Sequence, residues 1–153
     1  MSVTSSTVDD GSVVLDGAFG AGSQLRLVDS VVDTVGQFGV SLAAEFGTDS
    51  SVLLLRSTVI AASEAVVVAD DFLLNASAIA VRGCRLEAAL PNFHESSAIA
   101  FKVFRILSGG SFSVTDSRLV AGKGLALTRA CSLGAAALLE VARNAMQGPA
   151  DGG

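Results

Sequence analysis

Ile79-Ala-Val-Arg-Gly-Cys-Arg-Leu86 and Phe112-Ser-Val-Thr-Asp-Ser-Arg-Leu119 are two copies of one pattern: apolar, small, apolar, three small or polar residues, arginine, leucine. Slid along the chain, the pattern lands again on Leu25 to Val32, Leu53 to Ile60 and Leu139 to Met146. Between the copies runs a second pattern, apolar-x-apolar followed by a larger residue. Its copies are Val13-Val-Leu15 with Phe19, Val40-Ser-Leu42 with Phe46, Val66-Val-Val68 with Phe72, Ile99-Ala-Phe101, and Leu125-Ala-Leu127 with Cys131. The markers Leu27, Leu55, Val81, Val114 and Val141 of the first pattern stand 28, 26, 33 and 27 residues apart. Those of the second, Leu15, Leu42, Val68, Phe101 and Leu127, stand 27, 26, 33 and 26 apart. The chain is therefore a repeat array with one lengthened interval, which contains Leu90-Pro-Asn-Phe-His-Glu95.

Strand-length apolar runs repeating every 26 residues or so are the mark of a solenoid, in which each repeat is one turn stacked on the next. Within each copy the apolar residues alternate, which is the period of a strand with one face inside. The expectation is an all-β fold, a right-handed parallel β-helix of about five turns of roughly 26 residues. Stacking predicts ladders: Val32, Ile60, Leu86, Leu119 and Met146 as an inward aliphatic column; Ser30, Thr58, Cys84, Ser117 and Asn144 as a small polar one; and Phe19, Phe46 and Phe72 as a ring column, met at the same offset by Arg105 and then Cys131. The repeat domain spans 11–146, with an unstructured lead-in at 1–10 and tail at 147–153. One stretch, Gly134 to Met146, has the helix propensity for a short cap, with Leu138, Leu139, Ala142 and Met146 able to share a face. The spacing favours a last strand there.

Composition agrees with short strands and tight corners. Half the residues are apolar, there is no Trp or Tyr, and Gly outnumbers Pro 16 to 2. Fifteen acidic against ten basic residues, the basic ones scattered singly, give a net charge of −5. That balance argues against a nucleic-acid partner, which needs a phosphate-tracking basic surface. No basic and apolar leader opens the chain and no run of eighteen apolar residues is present, so neither a signal peptide nor a membrane span is expected.

Candidate sites are few. Asp70 and Asp71 are adjacent carboxylates, but neighbours on a strand point to opposite faces and cannot act as an acid–base pair. His94 is the lone histidine, beside Glu95, and a metal needs three or four ligands. Asp9, Asp10, Asp29, Asp33 and Asp49 have no calcium-loop spacing. No catalytic residue, metal or cofactor is expected. Asn75-Ala-Ser77 fits the N-glycosylation triplet at a corner. Asn92, Phe93, His94 and Glu95, in the lengthened interval, form the expected contact loop. Cys84 and Cys131 fall on different strands and read as separate thiols.

The repeated aliphatic-x-aliphatic and polar-triplet pattern is carried by stretches such as Ser51-Val-Leu-Leu-Leu-Arg-Ser57, Ala98-Ile-Ala-Phe101 and Ala121-Gly-Lys-Gly-Leu-Ala-Leu127. It resembles the dispersed gene family proteins of trypanosomes over nearly the whole chain. The resemblance implies a fragment of a long, membrane-associated cell-surface protein with a β-helix-like ectodomain. It further implies an adhesive, non-enzymatic role towards a host-cell or extracellular-matrix protein or glycan, and no catalytic residues to carry over. Two other readings stand beside it: a polysaccharide lyase or hydrolase of β-helix fold, and a purely structural spacer. Uncapped end turns would also permit end-to-end self-association.

Overall fold

The computed structural model describes residues 2–9, 11–68, 72–88, 96–101, 104–127 and 131–147. The described residues hold strands and corners only, and every strand pairing is parallel. Numbered in chain order, β1 (Ser2–Thr4), β4 (Gln24–Val28), β7 (Ser51–Leu55), β11 (Ala78–Arg82), β15 (Ser111–Thr115) and β19 (Leu138–Ala142) stack as the first sheet. The second sheet stacks β2 (Thr7–Asp9), β5 (Val31–Asp33), β8 (Thr58–Ala61), β12 (Arg85–Ala88), β16 (Arg118–Val120) and β20 (Ala145–Gln147). The third side begins with two long strands, β3 (Val13–Phe19) and β6 (Phe38–Phe46). Later passes break in two: β9 (Glu64–Val68) with β10 (Phe72–Leu74), β13 (Ser97–Phe101) with β14 (Phe104–Ile106), and β17 (Lys123–Leu127) with β18 (Cys131–Leu133). The chain is a parallel β-solenoid, each pass through the three sheets forming one rung.

The alternation of the sequence is what fills the tube. In β4, Leu25 and Leu27 are buried while Gln24 and Arg26 are exposed. The rungs above place Val52 and Leu54, Ile79 and Val81, and Phe112 and Val114 on the same inward columns. All six of those residues are at most 2% exposed. Burying side chains of this size is worth roughly 1.5–3 kcal/mol each, and it is available only because another rung lies above and below.

The corners give the rungs a common phase. Between the first and second sheets, Ser5, Asp29, Arg56, Gly83, Asp116 and Arg143 all adopt positive φ, from 47° to 61°. A left-handed backbone is costly for residues with a Cβ, by about 1–2 kcal/mol. Here a column of bonds between rungs holds it. Ser5, Asp29, Arg56, Gly83 and Asp116 donate their N–H to the carbonyls of Val28, Leu55, Arg82, Thr115 and Ala142 at 2.9–3.2 Å.

Several expectations are corrected. Residues 2–9 are no unstructured lead-in, since β1 and β2 supply the first rung of two sheets, in register with β4 and β5. In the second copy of the opening pattern the inward residues are Val52 and Leu54, not Leu53 and Leu55. In the same rung Val59 replaces Ile60 in the aliphatic column, and Ser57 replaces Thr58 in the polar one. The run Val52-Leu-Leu-Leu55 is apolar at every position, so alternation is silent there. Arg56, taking the same corner position as Asp29 and Gly83, decides the register.

The ring column is Phe19, Phe46, Leu74, Ile106 and Leu133 rather than one running through Phe72, Arg105 and Cys131. Phe72 pairs instead with Phe104 and Cys131, and Arg105 with Leu73 and Ser132. The cause is the break in the later passes, which lengthens the path from Val68 to Leu74 relative to that from Leu42 to Phe46. Arg105 is no departure from the column, because Ile106 occupies it. Residues 138–147 form β19 and β20 rather than a capping helix, and β20 runs one residue past the expected domain end.

The lengthened interval falls at one corner. Nine residue steps separate Ala88 from Ser97, where three separate their rung partners Ala61 and Glu64.

Candidate functional site

A cleft opens where the third sheet turns towards the first. Its volume is about 280 Å³, and Phe19, Phe46, Glu45, Gly47 and Asn75 line it with Ala18 and Gly20. The two rings belong to neighbouring rungs, paired Phe19 to Phe46, with centroids 5.0 Å apart and planes tilted by 56°. Phe46 is 5% exposed and closes the floor, whereas Phe19 is half-buried and forms one wall. Gly47 donates its N–H to the Phe19 carbonyl at 2.8 Å. A Cβ on Gly47 would come within 2.5 Å of the Ala21 nitrogen, so only glycine lets the two neighbouring rungs approach here. Glu45 and Asn75 are both exposed at the rim.

An apolar floor with one carboxylate and one carboxamide at its edge can bind. It can pack against the face of a ring and exchange hydrogen bonds with hydroxyls or amides. Among the described residues that line it, none is a nucleophile or a base backed by a third group.

Asn75 lies at this cleft, beside Ala76 in a left-handed corner. Its triplet partner Ser77 is only 4% exposed, and the Ser77 hydroxyl has no hydrogen-bond partner. The acceptor side chain is thus open in the folded chain while the hydroxyl that defines the triplet is inside. Asp70, Asp71, Asn92, Phe93, His94 and Glu95 lie outside the described residues. Among the described residues no group of three or more His, Cys, Asp or Glu is placed to hold a metal ion, and no helix is long and apolar enough to cross a membrane.

Cys84, flanked by Arg82 and Arg85, has the sequence of an activated thiol but not its setting. Both arginines point to solvent, and Arg85 donates through Nε to Glu87 at 3.0 Å. The thiol is 2% exposed, in contact with the Arg82 carbonyl at 3.3 Å, and burial pushes its pKa up.

Cys84 belongs to the small polar column, whose chemistry repeats from rung to rung. The Ser6 N–H donates to Ser30 Oγ (3.4 Å), the Ser30 N–H to Ser57 Oγ (3.2 Å), the Cys84 N–H to Ser117 Oγ (3.1 Å) and the Ser117 N–H to Asn144 Oδ1 (2.9 Å). In the other direction, Val31, Thr58, Arg85, Arg118 and Ala145 donate to the carbonyls of Ser6, Ser30, Ser57, Cys84 and Ser117. The small polar triplets of the sequence marked this column without disclosing that it is an inter-rung bonding device.

The cleft itself was half visible in sequence. Phe19-Gly20 and Phe46-Gly47 repeat at the same offset from Leu15 and Leu42, but the later break in the third side, which ends the ring pair, leaves no such signal. No family model, curated protein or solved structure matches the chain.

Proposed function

We propose that the chain is a non-enzymatic recognition module: a right-handed β-helix of about five turns from a surface-protein ectodomain, binding a host-cell or extracellular-matrix glycan or protein. The cleft at Phe19, Phe46, Glu45 and Asn75 carries this reading, because a half-exposed ring beside a carboxylate and an amide suits a sugar face with its hydroxyls. The resemblance to the dispersed gene family proteins of trypanosomes supports this reading and implies a membrane-associated parent protein. The lengthened corner between Ala88 and Ser97 adds a second contact element.

Glycan and matrix-protein arrays test the proposal. Binding should fall at least tenfold in Phe19→Ala and Glu45→Gln, with the circular-dichroism spectrum unchanged, and more weakly on deletion of residues 89–95. A wild-type chain that binds nothing, or that binds equally well in both point variants, overturns it and leaves a structural spacer.

A further inference from the structure

The ten basic residues stand singly in the sequence, but the repeat period gathers five of them at one edge of the solenoid, the corner between the first and second sheets. Arg56, then Arg82 with Arg85, then Arg118, then Arg143 occupy it on four successive rungs. Three rung steps of ~4.8 Å carry this track about 14 Å along the axis. Its two ends are neutralised from within, since Arg56 reaches to Asp29 and Arg143 to Asp116, each on the rung beneath. Its middle is not. Gly83 takes the corner position that Asp29 and Asp116 hold on other rungs, and a Cβ there would meet only the Arg56 Cγ, at 3.7 Å, so the place is open. Arg82 and Arg85 flank this gap, and Arg118 is the register partner of Arg85 on the next rung. All three side chains are exposed. Arg85 bonds to Glu87 and Arg118 to the neutral Gln147, while Arg82 bonds to no carboxylate among the described residues. Like charges directly opposite each other on paired strands are destabilising, and a bound anion relieves that repulsion.

We propose that this edge binds a linear sulfated polysaccharide, with a sulfate seated at the Gly83 gap between Arg82, Arg85 and Arg118 and the sugar chain running along the solenoid axis. The guanidinium fork donates pairs of hydrogen bonds to an oxyanion, which suits it to sulfate better than a point charge would. The narrowness of the track selects a single linear chain. On the second sheet the next outward column carries Asp9, Asp33 and Glu87, which repel anything as wide as a nucleic-acid duplex. None of the described phenylalanines stands at this corner to stack the bases of a single strand. Arg82, Arg85 and Arg118 sit on rungs with a neighbour on both sides, so the site owes nothing to either end of the stack. The inference goes beyond the cleft at Phe19 and Phe46, which opens at a different corner, and stands apart from it.

Titration of the full chain with a fluorescent heparin oligosaccharide tests it, beside the same oligosaccharide stripped of sulfate and a single-stranded DNA of equal charge. The wild type should bind heparin with an affinity that falls as salt rises, and at least tenfold more tightly than it binds either comparison probe. Gly83→Asp should weaken heparin binding at least tenfold with the fold intact, since aspartate already holds this corner on two other rungs at φ of 49° and 53°. Should Gly83→Asp alter the circular-dichroism spectrum, the double variant Arg82→Gln with Arg118→Gln reads the same loss. Phe19→Ala should bind heparin as the wild type does. A loss in Phe19→Ala assigns the sugar to the cleft and overturns this inference while leaving the cleft reading intact. Absence of heparin binding by the wild type, equal binding of the desulfated probe or the DNA, or undiminished binding in the folded variants of the arginine edge also overturns it.

Discussion

The rung of β11 and β12 and the rung of β19 and β20 carry the same alternation of apolar residues in the same register, yet they differ in everything that burial confers. Ile79, Val81 and Leu86 are at most 1% exposed, while Val141 and Met146, on the same columns, are 37% and 62% exposed and Leu139 is only partly buried. The direction of a side chain is set by its own strand, but its burial is set by the neighbouring rungs. In a solenoid, inward and buried are separate properties.

The largest expected effect tests that separation directly. Phe112, fully buried between Ile79 and Leu139, should lose about 3–5 kcal/mol of stability on Phe112→Ala. Met146→Ala in the last rung should lose about 0.5 kcal/mol. Denaturant titration of the two variants compares them, and equal losses would mean that the last rung is covered in solution.

Next in size is the polar column. Ser117→Ala leaves the buried Cys84 N–H without its acceptor and should cost about 1–3 kcal/mol. Asn144→Ala removes the equivalent acceptor from the Ser117 N–H, which water at the outer rung can replace, so its loss should be the smaller of the two. Amide hydrogen exchange at Cys84 and Ser117 in the variants reads the same difference locally.

The smallest effect is at the corners. Arg56 holds Asp29 through two bonds of 2.7 Å, and Arg143 holds Asp116 through bonds of 2.6 and 2.8 Å. In each pair the hydrogen bond to the arginine is the main cause lowering the carboxyl pKa below its usual 3.8. A depressed folded-state value means that the stabilisation is complete above the unfolded pKa and is lost as pH falls through the folded one. All four side chains are well exposed, so the contribution is small and weakens with salt. Asp116→Asn should leave Tm nearly unchanged at neutral pH and slightly flatten its decline in acid. A clear loss at neutral pH and high salt would show that the pair does more than tie two rungs at the surface.

The repeat, its period, the parallel stacking and the place of the lengthened interval were all legible in the residues, because periodic apolar runs state them outright. The marker spacings put the lengthened interval between Val81 and Phe101, and the register narrows it to six added residues between Ala88 and Ser97. The misreadings share a cause. Val52-Leu-Leu-Leu55 is apolar on both faces of its strand, and Val68 to Leu74 takes a longer path than Leu42 to Phe46, so hydrophobicity alone could not fix phase in either place. Phase is set by backbone at the corners, through residues as unlike as Asp29, Arg56, Gly83 and Asp116. The first rung was missed because β1 and β2 are three residues each and mostly polar. The cleft requires two rungs at once, and no single repeat spells it.

The corner between Ala88 and Ser97 holds a lesson about what this architecture lets vary. Added chain enters there, and the strands on both sides resume alignment with the rung beneath, Leu86 opposite Val59 and Ile99 opposite Val66. Doubling such a loop raises its closure entropy by only about 0.6 kcal/mol, and no phase error passes to the rungs above. The stack behaves as a ruler with a socket, holding its pitch while what is plugged into one corner can be lengthened, shortened or replaced.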